Sequence, residues 1–433
     1  MAEPRTPDRE RFRRLSREGL WIVLGQAAAV LGALAGVRLL TELLDPAAYG
    51  ELALGLTVAA LVNQSVLGPL ANGLTRFYAP AQEQGDLGGY LYAARRLVIA
   101  ATGVIALIAL PTLAGLLATG RAQWTGIAAA ALAYAALSGY NAILNGVQNA
   151  ARQRAVVALH QGMESWLRVL VAVGLLLWLG RSSTVAMLGY AAAVVVVLGS
   201  QYVFFRKAVR GTSAAAGKTN WQRQVWQYSW PISVFGIFTW AQLASDRWAL
   251  ELFATTRDVG TYAALFHLGY YPMSMASTMA TQFLAPIFYQ RAGDAKDGAR
   301  NAGVSRLSCN LTGFTLGGTA AAFVLALMFH RQIFRFLVAS EYASVSHLLP
   351  WMLLAGGIFA AGQAIALDLM SQMRTQAMMA AKIATALAGV ALNFAGAYWL
   401  GTRGIVFAGV LFSVLYFAWM TVLSLRSPLP ARP

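Results

Sequence analysis

From Leu20 to the C-terminus, long apolar blocks alternate with short polar breaks. A membrane-crossing helix needs about 20 mostly apolar residues. Twelve blocks reach that length: 20–44, 51–74, 97–119, 123–149, 155–180, 183–205, 225–252, 259–289, 307–329, 345–370, 379–400 and 404–425. Several contain glycine or proline, which bundled membrane helices tolerate because neighbours satisfy the freed backbone groups. The runs are continuous and show no period-two alternation, so a barrel does not compete. The pattern predicts an all-α polytopic membrane protein. Residues 1–19 are polar and basic, and the run that follows is longer than a signal-peptide core and lacks a small-x-small cleavage site. It reads as an uncleaved first span behind a cytoplasmic basic tail.

Composition supports the class. Of 433 residues, 58% are hydrophobic and 12% charged, about half the charged share of a soluble domain. The net charge of +16 would suggest nucleic acid in a soluble chain, but the cations lie between apolar blocks and are better explained by topology. With the N-terminus inside, 24 of the 33 basic residues fall on the cytoplasmic side, six outside and three within spans. That bias places both termini in the cytoplasm. No loop is long enough for a soluble catalytic domain. The largest, 206–224, is basic and rich in small residues and reads as a linker between six-span sets 20–205 and 225–425, with a short tail at 426–433. The single cysteine, Cys309, excludes an intramolecular disulfide and a cysteine metal cluster and is expected to pack between helices.

The two sets share landmarks. RLLTELL (38–44) matches RWALELF (247–253) at an offset of 209, Tyr49-Gly50 matches Val259-Gly260 at 210, Gly85-Asp86 matches Gly293-Asp294 at 208, and Arg96-Leu97 matches Arg306-Leu307 at 210. A near-constant offset predicts tandem repeats. Six spans is an even number, so both sets enter the membrane the same way round. The expected architecture is twelve transmembrane helices in two parallel six-helix bundles, related by a pseudo-two-fold axis along the membrane normal. A central cavity and alternating access go with that plan.

Ionisable residues within spans are costly unless paired or hydrated. Arg38 and Glu42 lie four apart on one helix face, as do Arg247 and Glu251 at the equivalent place and Glu164 and Arg168 in the fifth span. Asp246 precedes Arg247, and Asp368 lies near the inner end of the tenth span. Two readings stay open for Arg38 and Arg247: struts that snorkel to the interface and pair with their glutamates, or cations lining a cavity. Arg168 is about 13 residues into its span, roughly 20 Å deep, where snorkelling is harder. A guanidinium binds phosphate bidentately and keeps its charge. Glu164, Asp246 and Asp368 are candidate coupling carboxylates for H+ or Na+, and Arg76 and Arg291 candidate cytoplasmic-gate cations. Asn63, Gln64, Asn141, Asn145 and Gln242 can bind sugar hydroxyls or join helices. The aromatics at Tyr270 and Tyr271 can stack on sugars or fill the bundle. His160 and His267 read as packing residues. Trp21, Trp124, Trp178, Trp221 and Trp399 fall near span ends, as an aromatic belt would.

The stretches RLLTELLDPAAYGELALGL and GLTRFYAPAQEQGDLGGYL resemble the polysaccharide flippases of the multidrug/oligosaccharidyl-lipid/polysaccharide exporter superfamily, the O-antigen and exopolysaccharide repeat-unit translocases of bacteria. The resemblance rests on Leu43, Leu44, Pro46, Tyr49 and Gly50 and on Arg76, Phe77 and Tyr78. It covers about the first hundred residues, while the twelve-span plan agrees throughout. The second half lacks the proline of that element. The resemblance implies translocation of an undecaprenyl-diphosphate-linked oligosaccharide across the bacterial inner membrane, with a cationic cavity lined by the first and seventh spans. Membrane lipid is an implied partner, a polysaccharide polymerase a further one, and the chain is expected to be a monomer with no cofactor. A cation-coupled small-molecule exporter of the same fold is the main alternative. A glycosyltransferase or ligase would need a larger outward loop than 330–344. A non-transporting scaffold is the remaining reading.

Overall fold

The computed structural model describes residues 28, 30–208, 219–293 and 297–426. The basic tail 1–19, the linker stretch 209–218 and most of the C-terminal tail lie outside the described residues, as do Trp21 and Asp294. Among the described residues every element is helical. After α1 (30–43) come α2 (Pro46–Val62), a π-helical turn (Asn63–Leu67), α3 (Gly68–Glu83), α4 (Leu87–Ala118), α5 (Thr125–Ala150), α6 (Arg154–Leu179) and α7 (Ser183–Ala208). Then follow α8 (Trp221–Phe253), α9 (Thr256–Leu268), α10 (Tyr270–Ala292), α11 (Gly298–Leu337), a 3₁₀ segment (Ser340–Leu348), α12 (Leu349–Ser371) and α13 (Thr375–Leu425). Among the described residues eight helical stretches are long and apolar enough to cross a membrane. One of them, within α13, folds at Gly401 (φ 57°), which divides it into two arms.

Local chemistry explains the boundaries. Asp45 accepts from Ala48 N at 2.8 Å and caps α2, whose first residue is Pro46. Proline at this position forfeits only an N–H that has no helical partner. At an offset of 210, Thr255 caps α9 by accepting from Asp258 N at 3.2 Å. The second half therefore keeps the capped turn while lacking the proline. The helix-ending turns recur as well. Gly85 (φ 67°) corresponds to Gly293 (φ 62°), Arg152 (φ 61°) to Met373 (φ 61°), and Gly180 (φ 114°) to Gly401 (φ 57°). At Arg152 and Met373 the closing hydrogen bonds are the same, Gln153 N to Gln148 O and Arg374 N to Leu369 O, the paired pattern of a Schellman ending. The offset lengthens to 221 beyond the loop that holds the 3₁₀ segment.

The chain forms two compact units: residues 1–39 with 54–240, and 40–53 with 241–433. In the first, Gly32 and Gly36 of α1 face α6. A Cβ on Gly36 would stand 2.8 Å from Val169 Cγ2, and one on Gly32 3.3 Å from the Ser165 backbone. Small residues four apart let membrane helices approach closely, and this contact brackets Arg168. Trp221 departs from the belt expected of it. It is 1% exposed, and its indole donates to Asp86 Oδ2 at 2.9 Å. Trp178 and Trp399 are exposed, and Cys309 is exposed rather than packed.

In the second unit the starts of α2 and α9 cross backbone to backbone. A Cβ on Gly50 would lie 2.0 Å from Thr256 O, and one on Gly260 1.8 Å from Pro46 O. Tyr342 donates to Leu44 O at 2.8 Å and meets the Tyr49 ring edge-on at 5.8 Å, which straps the 3₁₀ segment over this crossing. A carbonyl on a helix cannot step aside cheaply, and overpacking a tight site costs about 1–3 kcal/mol. Gly260→Ala is expected to lower the thermal unfolding midpoint of the purified protein in detergent. Gly174→Ala, which enters open space on α6, is expected to leave it unchanged. Equal midpoints for the two variants would contradict the crossing.

Candidate functional site

Of the three arginines expected within spans, Arg168 lies in the first unit and Arg247 in the second, and their surroundings differ. Arg168 lies 14 residues into α6, about 20 Å along the helix. Its Nη1 donates to Tyr134 Oη of α5 at 2.9 Å. Glu164 Oε1 stands 4.0 Å from Nε, beyond hydrogen-bond distance. The Tyr190 ring of α7 lies 5.8 Å from the guanidinium carbon. Asn141 donates to Glu164 Oε2 at 2.6 Å, holding that carboxylate away from the cation. The Arg168 side chain stays 34% exposed. Of its five N–H donors only the Tyr134 bond is close, so a fork remains for an incoming anion. Four side-chain carbonyl oxygens in the same unit, Gln64 Oε1, Asn141 Oδ1, Gln153 Oε1 and Gln201 Oε1, are buried and without a hydrogen-bond partner. Gln64 belongs to the π-helical turn, a distortion often found at functional positions, and its neighbour Asn63 donates to Ser138 Oγ of α5 at 3.0 Å.

Arg247 of α8 is a closed cation. Its Nη1 lies 3.2 Å from Asp246 Oδ1 and donates to Leu243 O at 3.1 Å. The Phe266 ring covers it at 4.6 Å, a cation–π arrangement that strengthens when desolvated. Residues Asp246 and Arg247 are only 6% and 9% exposed. Tyr262 donates to Asp246 Oδ2 at 2.7 Å. Tyr262, Phe266 and Tyr270 recur every four residues, and Phe266 and Tyr270 stack at 5.0 Å. Beside Asp246 is a cavity of about 50 Å³ lined by Gln242, Tyr262, Tyr270, Asn393 and Phe412, among others. That is ample for water, which needs about 10–15 Å³. Asn393 is held by a bond to Ser245 Oγ at 2.9 Å.

The other expected residues fall as follows. Glu251 does not pair with Arg247: it accepts from Thr256 Oγ1 at 3.0 Å, and its Oε2 is buried without a partner. Asp246, the adjacent residue, takes the role expected of Glu251. Arg38 is half-buried and Glu42 exposed, and both are engaged by neighbours. Asp368 is 1% exposed and bound by Ser305 Oγ at 3.0 Å and Gln372 Nε2 at 2.8 Å, a clamp between α11 and α12. Arg76 and Arg291 are exposed. His160 is buried against Val156 O and Ser200 Oγ, a packing arrangement. Among the described residues no His, Cys, Asp or Glu cluster could hold a metal. Sequence reading passed over Tyr134, Tyr190 and Tyr262, all phenols on apolar helices. The four-residue spacing of Tyr262, Phe266 and Tyr270 was the available signal.

These geometries predict unequal costs. Removing one partner of a buried ion pair costs about 3–5 kcal/mol, whereas a partly exposed pair is worth about 0–1 kcal/mol. Asp246→Ala is therefore expected to destabilise far more than Glu164→Ala in thermal unfolding, and Arg247→Met added to Asp246→Ala to restore much of the loss. Equal costs for the two single substitutions would contradict the contrast.

The sequence profile of the family described as Polysaccharide biosynthesis protein matches residues 15–291. No curated protein sequence matches the chain. Among solved structures, it is similar to the lipid II flippase MurJ in an inward closed conformation (9% identity, 94% of this chain and 87% of that one, TM-score 0.73). It is also similar to an inward-facing multidrug resistance MATE family transporter of the MOP superfamily (13% identity, 92% and 94%, TM-score 0.71). A third similar structure is a mutant of the Vibrio cholerae MATE transporter VcmN (15% identity, 97% and 98%, TM-score 0.54). At these identities the structures show a shared fold.

Proposed function

The chain belongs to the polysaccharide biosynthesis protein family, and from that premise we propose that it is a flippase for an undecaprenyl-diphosphate-linked oligosaccharide repeat unit. It moves this lipid from the inner to the outer leaflet of the bacterial inner membrane by alternating access. The observation that carries the reading is the partly exposed Arg168 guanidinium inside an apolar unit, with most of its donors uncommitted. A diphosphate is the part of such a substrate that hydrocarbon rejects most strongly, and a fixed guanidinium fork is the side chain best matched to it. The uncommitted amide oxygens of Gln64 and Asn141 suit sugar hydroxyls.

The finer layout belongs to the same proposal. Twelve spans form two parallel six-helix bundles, 20–205 and 225–425, joined by the linker 206–224, with both termini cytoplasmic. Arg38, Arg247, Glu42 and Glu251 support the cationic path, and Arg76 and Arg291 guard its cytoplasmic end. Asp246, beside its small polar cavity, is the coupling carboxylate for H+ or Na+, with Glu164 second. Asp368, held by Ser305 and Gln372, is the third candidate coupling carboxylate. The chain acts as a monomer, transports rather than catalyses, and hands its product to a polymerase on the outer face. The Asp246 cavity also favours a second reading, a cation-coupled exporter of small molecules.

Reconstituted liposomes containing a fluorescent lipid-diphosphate oligosaccharide test the proposal. Wild type is expected to bring the label within reach of an external quencher, and Arg168→Ala to slow this at least about tenfold, the loss of one charge-assisted fork. No movement with or without an ion gradient would overturn the flippase reading. Movement of a cationic dye in its place would establish the exporter.

A further inference from the structure

The first unit carries an apolar groove that the transport path does not use. Its floor is Tyr140, Ile143 and Leu144 of α5, and its walls are Val98 of α4 and Val195, Leu198, Gly199 and Tyr202 of α7. Its volume is about 470 Å³. Helices α4 and α7 both pack on α5, and the groove runs between them. It is held open by particular features. Thr102 and Tyr140 share a hydrogen bond of 2.6 Å, which pins the tyrosine ring. Gly199 is exposed and has nothing within 4 Å of the place its Cβ would occupy, so no neighbouring side chain fills the groove there. From Val195 to Tyr202 the wall is about 10 Å long at 1.5 Å per residue, the length of part of one hydrocarbon chain within one leaflet, whose core is about 15 Å thick.

The groove is charged at one end only. Arg95 and Arg96 precede Val98 by less than one turn, and Arg206 and Lys207 follow Tyr202 by about one turn; all four are exposed. Beyond Arg96 on α4 and before Arg206 on α7, no further charge occurs until Arg121 and Arg181, at the far ends of these helices. The order of chemistry along the groove is thus cationic collar, then aromatic and aliphatic wall. That is the order of an anionic phospholipid, phosphate first and acyl chain after.

We propose that this groove is a binding site for one acyl chain of an anionic inner-leaflet phospholipid, whose phosphate is held by the Arg95, Arg96, Arg206 and Lys207 collar. The assignment to the inner leaflet rests on the orientation proposed above; the pairing of groove and collar does not. In hydrocarbon the chain gains little by moving from one apolar neighbour to another. The collar therefore supplies the affinity, and the groove fixes where the lipid sits. The bound lipid covers the exposed side of Tyr140.

Native mass spectrometry of the full chain in mild detergent tests this, with phosphatidylglycerol and phosphatidylcholine of the same acyl chains as probes. Wild type is expected to retain phosphatidylglycerol at least about tenfold more strongly, since each surface Lys or Arg contributes about 1 kcal/mol toward an anionic lipid. Arg95→Gln with Arg96→Gln is expected to remove most of that preference. Gly199→Trp is expected to abolish retention of one phosphatidylglycerol per chain, and Gly174→Trp, which also enters open space, to leave it intact. Gly199→Leu serves should the tryptophan variant fail to fold. Equal retention of the two lipids, unchanged retention in the Gly199 variants, or displacement of phosphatidylglycerol by a polyprenyl phosphate would overturn the proposal. The readout involves no transport, so its failure is distinguishable from failure of the flippase reading.

Discussion

The organising constraint is the cost of a charge in hydrocarbon. An arginine at mid-span destabilises a membrane helix by several kcal/mol unless its field is met locally, and the protein meets it in two ways. Arg247 is enclosed by a neighbouring carboxylate, a backbone carbonyl and an aromatic face. Arg168 is held by a phenol, with its glutamate drawn aside by Asn141. The first arrangement is complete in itself. The second leaves donors unspent, and it is there that we propose the anion of the substrate is received. The difference is one of geometry rather than residue type: both arginines have a carboxylate within four residues, but only one carboxylate is in contact.

The scaffold exists to hold these arrangements. Close approach through Gly32 and Gly36 seats α1 against the Arg168 stretch of α6. The Gly50 and Gly260 crossing brings the starts of α2 and α9 together in the second unit, and Thr255 and Asp45 cap the two helices at matching places. Membrane helices have no hydrophobic drive to associate, so small residues, hydrogen bonds and shape set the packing. The glycines therefore stand at the places where two helices approach most closely.

The class was legible from hydropathy alone, because twenty apolar residues in a row have few alternatives. The recurring landmarks were legible too, and one matched pair, Gly85 and Gly293, ends a helix with positive φ in both places. Partners were harder to read. The i, i+4 rule finds Glu164 beside Arg168, but it also offers Glu251 to Arg247, where the structure uses Asp246. Glu251 meets Thr256 at the start of the next helix, which no helical spacing rule includes. Trp221 looked like a belt residue because its partner, Asp86, lies 135 positions away. Tyr134 and Tyr262 were hidden for the same reason: a phenol on an apolar helix gives no sign of its target until the neighbouring helix is in place.

The proposed transport depends on Arg168 accepting an anion inside an apolar unit. The most direct measurement is equilibrium titration of a short-chain polyprenyl diphosphate into the solubilised protein, comparing wild type with Arg168→Gln at fixed ionic strength. A charge-assisted interaction with a partly exposed guanidinium predicts that the variant binds at least about tenfold more weakly. Equal affinity for the two proteins would contradict the account.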